Sequence, residues 1–320
     1  MSQDIVIVNK DLHAGGGGEK TVEILIEEFL SQHSVRKNSR ERYRKSLKQF
    51  LIWTKGRNIS QINRAAILDY KEDLLNKTLE DGNKMSPLTV GAYLVAVRLF
   101  YDYLNQEYNI KNVAKGIKMK RSNKFERAAL NEEQCASLLL HFENEGDLRD
   151  YAIVNLLLRT GMRTIEIVRA NIEDVSQVQG KNCLFVQGKG RDDKKDFVLL
   201  TEKALFPIKS YIAERGVIAP KDPLFTSTSN NNRGQRLTTK TISTLVKSGL
   251  IAIGLSGKEY TAHSCRHSAA SIMLDRGESL ERVQEVLRHT NSQTTKGYVH
   301  KANEKRRIEE SPESSLDNAF

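Results

Sequence analysis

YTAHSCRHSAASIMLDRGESLERVQEVLRHTNSQTTKGYVH, residues 260–300, decides how this chain is read. His263-Ser264-Cys265-Arg266-His267 opens a helix that runs to Asp275, and a second helix spans Glu281 to Arg288. His289 follows that helix directly, and Tyr298 lies nine residues beyond it. His263 and His267 stand four apart on one helix, the spacing of a zinc pair, but the metalloprotease pattern needs Glu after the first His and Ser264 stands there. His267 reads as a buried structural histidine. Upstream, Arg163 sits in Leu-Leu-Leu-Arg-Thr-Gly-Met-Arg163, just past a helix stop at Gly161, and Lys189 occupies the turn Gly188-Lys189-Gly190 between two expected strands. Each piece occurs widely by chance; their order and spacing together make the signal.

Working outward, Asn131 with Gln134 three residues on makes a capping box. A helix follows, then another from Asp147 through Leu158. Segments 171–178, 183–187 and 195–200 read as short strands around turns rich in Gly and Asp, and helices resume at 201–214 and 239–253. Residues 128–305 are thus expected to form a mainly α domain with a small antiparallel β-sheet, followed by a tail, 306–320. The tail's Glu309, Glu310 and Glu313 with Ile308, Leu316 and Phe320 allow packing on a neighbour.

Residues 21–110 read as a second, wholly helical module. Val22, Leu25, Ile26, Phe29 and Leu30 repeat at helical spacing, as do Tyr43, Leu47, Phe50 and Leu51. A third helix is expected at 63–79, and a fourth opens at Ser86-Pro87, a cap residue before proline. From Arg36 to Arg57 nine basic residues face one acid, Glu41. Among them Lys37, Arg40, Arg44 and Lys48 share a helix face largely apart from the apolar stripe, as a surface tracking phosphates would. Residues 111–127 hold Lys111, Lys115, Lys118, Lys120, Arg121, Lys124 and Arg127 against Glu126 alone, a basic linker. Residues 1–20 read as a flexible leader; its Gly15–Gly18 run is no phosphate loop, because Glu19 separates the glycines from Lys20.

The 320 residues suit two domains, and 39% hydrophobic content supports real cores. A net charge of +10 favours a polyanionic partner, nucleic acid foremost. Cys135, Cys183 and Cys265 are scattered and odd in number with no Cys-x-x-Cys pair, so neither a disulfide framework nor a zinc ribbon is indicated, and a reducing cytosol fits. No long apolar run or cleavable leader argues for export or a membrane span.

In order and spacing, Arg163, Lys189, His263, Arg266, His289 and Tyr298 resemble the tyrosine recombinase (phage integrase) family, which includes Xer-type and mobile-element enzymes. The resemblance is loose over the amino-terminal helices and close from 128 onward. It implies a two-domain DNA clamp, a helical core-binding (SAM-like) bundle and a catalytic domain, working as a homotetramer on two specific duplex DNA sites. It also implies strand exchange through a 3′-phosphotyrosyl bond, with no metal or nucleotide cofactor. Two arginines, Arg163 and Arg266, present planar forks to the charge that spreads over phosphate oxygens. Tyr298 is the implied nucleophile and His263 assists it; Lys189 protonates the departing 5′ oxygen, and His289 bonds a phosphate oxygen. Glu166, three residues after Arg163, offers an orienting partner. One departure is visible: the family usually has Gly before the histidine matched by His289, where this chain has Arg288, which must be helix-compatible or strained. Two rivals stand: a type IB topoisomerase-like relaxing enzyme, and a non-enzymatic DNA-binding regulator, which a lost nucleophile or arginine would have favoured.

Overall fold

The computed structural model describes residues 5–6, 20–32, 37–55, 57–119, 128–188, 193–216, 218–288 and 308. Contacts divide the chain into two units, Met1–Lys124 and Phe125–Phe320.

The first unit is built on four helices, as the sequence leads one to expect: α1 (Val22–Gln32), α2 (Lys37–Thr54), α3 (Arg64–Asn76) and α4 (Pro87–Tyr108). Phe29 of α1, Phe50 of α2 and Phe100 of α4 are each at most 1% exposed. Burying a phenylalanine is worth about 1.5–3 kcal/mol, so this aromatic centre holds the bundle together. Phe29 meets Phe100 edge-on at 5.7 Å, and Phe50 meets Tyr70 of α3 at 5.1 Å. Helix ends follow local chemistry. Asn63 accepts from the Ala66 N–H to start α3, and Ser86 accepts from Thr89 N–H to start α4 with Pro87 at its first position. Before α1, β1 (Ile5–Val6) pairs antiparallel with β2 (Lys20–Thr21). The leader reading passed over a run of β-branched residues there, which suits a strand; the rest of that leader lies outside the described residues.

The second unit centres on α6. α5 (Glu132–Glu145) begins with the expected reciprocal Asn131–Gln134 box. α6 (Leu148–Thr160) starts under the Asp147 carboxylate and ends at Gly161, whose φ of 60° is left-handed. Ala152, Ile153, Val154, Leu156 and Leu157 are fully buried, so α6 is covered on nearly every side. A short helix, α7 (Thr164–Arg169), comes next; six residues are too few to show a helical period, and the sequence reading missed it.

Three antiparallel strands follow in the order β3 (Val175–Val178), β4 (Lys181–Val186), β5 (Asp196–Leu199), with Val175 opposite Leu184 and Phe185 opposite Phe197. The first strand starts later than expected because 172–174 form a 3-10 turn, closed by the Asp174 carboxylate accepting the Asn171 N–H at 2.6 Å. α8 (Glu202–Arg215), α9 (Thr239–Ala252), α10 (Ala262–Asp275) and α11 (Leu280–Leu287) complete the unit. Gly249 lets α9 approach α5 closely: a Cβ there would stand 2.4 Å from the Phe142 ring. Among the described residues, no helix is long and apolar enough to cross a membrane.

Candidate active site

Arg266 lies one turn into α10 and is 1% exposed. A buried guanidinium needs compensating partners, and helix ends supply them. Its Nη1 donates at 2.5 Å to the carbonyl of Gly161, where α6 ends, and its Nη2 donates to the carbonyl of Leu287, the last residue of α11. Both carbonyls lie at the partially negative ends of helices, which suits a cation. The three helix ends meet because position 161 has no side chain: a Cβ there would lie 2.5 Å from Leu287 Cδ2.

Arg163 caps the start of α7. Its backbone N–H donates at 2.9 Å to Glu166 Oε2, and its Nη1 donates at 2.8 Å to Glu166 Oε1, the orienting pair that the sequence suggested. Its Nη2 reaches the Arg288 carbonyl at 3.5 Å. Leu287 and Arg288 are consecutive, so the end of α11 receives both arginines, and the structure brings Arg163 and Arg266 into one site. Glu166 is wholly buried. Burial pushes its carboxyl pKa up, but the Arg288 and Arg163 guanidiniums and the Arg163 N–H outweigh that and hold it below the usual value.

Arg288 resolves the departure noted in the sequence. It takes the left-handed conformation (φ 53°, ψ 49°) as the cap of α11, so the chain adopts the glycine-like backbone without glycine. Its side chain turns back, Nη2 donating to Glu166 Oε2 at 2.8 Å and Nη1 to the Val286 carbonyl at 2.7 Å. Its Nε is buried without a hydrogen-bond partner. Sequence reasoning treated Arg288 only as a missing glycine and did not find this contact; only its charge and its place before His289 pointed there.

His263 sits in the first turn of α10, where its N–H donates to the Thr261 hydroxyl at 3.3 Å. Its ring meets that of His267 edge-on at 4.9 Å. His267 is half-buried rather than buried, because α10 turns that face partly outward. Among the described residues, no three His, Cys, Asp or Glu side chains converge as metal ligands would. Beside Arg266, the buried Cys265 thiol is pushed up to about 12 by desolvation, so it offers no thiolate nucleophile.

Lys189, His289 and Tyr298 lie outside the described residues. The base of the β4–β5 hairpin that carries Lys189 is held at two points. Arg169 Nη1 donates to the Gly188 carbonyl at 3.2 Å, and Lys194 pairs with Asp174. Lys194, five residues beyond Lys189, is therefore engaged, and Lys181 opens β4 at the other end of the strand.

In the first unit, Lys37 begins α2, Lys48 is exposed and Arg40 is half-buried, its Nε without a hydrogen-bond partner. Arg44 differs from the single-sign face expected: it is paired with Glu27 of α1 at 2.7 Å as well as with Glu41 at 2.5 Å. Glu27 is distant in sequence, so the count within 36–57 could not include it.

The sequence profile of the Phage integrase family matches residues 128–305. A tyrosine recombinase XerD of Pseudomonas aeruginosa is 31% identical over 291 residues, covering 86% of this chain and 92% of that protein. A tyrosine recombinase XerC of Caldanaerobacter subterraneus subsp. tengcongensis is 32% identical over 212 residues, 65% of this chain and 57% of that protein's length. Among solved structures, XerH site-specific recombinase bound to its difH substrate superposes with a TM-score of 0.66 at 21% identity, over 85% of this chain and 78% of that one, a likeness of fold. The chain belongs to the phage integrase family and is a site-specific tyrosine recombinase, a DNA breaking and rejoining enzyme.

Proposed function

We propose that the chain exchanges strands between two specific duplex DNA sites through a 3′-phosphotyrosyl intermediate, without metal or nucleotide. The observation that carries this reading is the convergence of Arg163 and Arg266 on the end of α11, with Glu166 fixing the first and carbonyls fixing the second. Held guanidiniums need little reorganisation when charge develops on a phosphate. Tyr298 Oη attacks phosphorus, the bond to the 5′ oxygen breaks, and Lys189 protonates that oxygen as it leaves. His263 assists the tyrosine and His289 donates to a phosphate oxygen. Attack by a 5′ hydroxyl of the partner strand reverses the step, and the energy of the broken bond is kept in the phosphotyrosine, so no nucleotide is required. Four protomers act on the two sites, each supplying its own tyrosine; a lambda integrase of the same fold is a tetramer bound to a Holliday junction. In the first unit the basic face of α2 meets backbone phosphates. The regulator reading is disfavoured because both arginines and Tyr298 are present.

The test uses a nicked duplex built from genomic fragments that the protein retains. In excess chelator and without nucleotide, wild type should form an adduct that survives denaturant, and Tyr298→Phe should bind the same duplex but form none. An equal adduct yield from Tyr298→Phe overturns the nucleophile; loss of wild-type adduct with chelator overturns metal-free cleavage.

A further inference from the structure

We propose that Arg288 is a positioning residue for strand cleavage: through Glu166 it ties the end of α11, and so the start of the segment carrying His289 and Tyr298, to the orientation of Arg163. The inference rests on the function proposed above and adds a residue to it.

The Glu166 carboxylate has two oxygens, and the geometry divides them. Oε1 accepts only from Arg163 Nη1 among the contacts described, while Oε2 accepts both the Arg163 backbone N–H and Arg288 Nη2. Arg163 in turn donates back to the Arg288 carbonyl. The contacts close a ring: the Arg288 side chain to Glu166, Glu166 to Arg163, and Arg163 to the Arg288 backbone. Such a ring fixes the Arg163 plane at two points and sets the height of the α11 end against α7. Residue 289 is one peptide bond away, so any rotation of the 288 backbone moves the next residue directly.

A simple capping role does not account for this side chain. The cap is made by the Arg288 N–H, which donates to the Glu285 carbonyl at 2.9 Å, and any residue but proline supplies that group. Left-handed backbone favours glycine over arginine, so arginine here works against local preference. Its side chain reaches across to another helix, with only 10% of it exposed.

These points make Arg288→Gly a discriminating variant, because it eases the backbone, keeps the cap and removes only the side-chain interactions. Arg288→Gly leaves the buried Glu166 carboxylate to Arg163 alone, so despite the eased backbone it should melt below wild type while still folding, and it should bind the nicked duplex with unchanged affinity. Its rate of adduct formation at saturating protein should fall about tenfold or more, the scale on which a misplaced transition-state donor acts. Arg288→Lys, which keeps a cation within reach of Glu166, should recover most of that loss. In a Glu166→Gln background, Arg288→Gly should cost little further, since the two act through one contact. Wild-type cleavage by Arg288→Gly overturns the inference, as does an undiminished loss in the Glu166→Gln background. If wild type itself forms no adduct, the recombinase chemistry falls with it; an adduct formed equally by wild type and Arg288→Gly removes Arg288 alone.

Discussion

Glu166 sits between two guanidiniums with no access to water, and the local structure depends on its staying ionised. Its pKa is held below the usual carboxylate value. A depressed folded value stabilises the native state at pH above the unfolded value; the contribution is lost as pH falls through the folded one. Glu166→Gln should therefore cost about 3 kcal/mol at neutral pH, as expected when one partner of a buried pair is removed. The difference from wild type should be flat down to about pH 5, shrink through the acid range and level off below the folded value. Denaturant melts of both proteins across pH would check this, and a constant difference into strong acid would contradict it. Sequence spacing alone disclosed the Arg163–Glu166 pair, because three residues bring the two together at a helix start. It did not disclose Arg288, which is 122 residues from Glu166 and meets it only after α6, α10 and α11 have packed.

At the scale of elements, the helix ends hold the site in place. Gly161 ends α6, points its carbonyl at Arg266 and leaves room for Leu287. Gly161→Ala combines an unfavourable left-handed backbone with a methyl inside Leu287, so it should destabilise by about 2–3 kcal/mol and reduce cleavage with it. Thermal melts and adduct yield on the same preparation would test it; a stable, active variant would mean α11 can shift away at no cost. The helices α1, α2 and α4 were legible in the sequence because a buried stripe repeats over several turns, and α6 because an apolar run ends at Gly161. The Asn131 and Ser86 caps were legible because a cap is set by residues within one turn. Two short elements were not: α7 spans six residues, and the β1–β2 pair joins segments separated by a glycine run. The candidate site was legible as a set of residue types at intervals, while the carbonyls that receive Arg266 belong to backbone and leave no trace in composition.

For the whole molecule, the net charge of +10 sets the sign of the partner, but the structure limits where that charge is available. Arg44 is paired with Glu27 and Glu41, so a phosphate must displace exposed carboxylates to reach it, whereas Lys48 is exposed and Arg40 retains an unpartnered Nε. Replacing Arg40 and Lys48 with alanine should weaken duplex binding and flatten the log–log salt dependence by about 0.9 for each phosphate no longer neutralised. Arg44→Ala should flatten it less. Titrations at three salt concentrations decide between this and a merely solvated face, which predicts parallel lines.

Two helix ends in the catalytic unit, at residues 161 and 288, adopt nearly the same left-handed backbone, yet their freedom to vary is opposite. At 161 the volume a side chain would occupy already belongs to Leu287. At 288 the side chain extends to a carboxylate, so the position accommodates something as large as arginine. Glycine and arginine codons differ by a single base, so a lineage can pass between the two at 288 in one step, trading an eased backbone for a charged tether. At 161 any side chain meets Leu287, so the same step there is closed unless α11 moves with it.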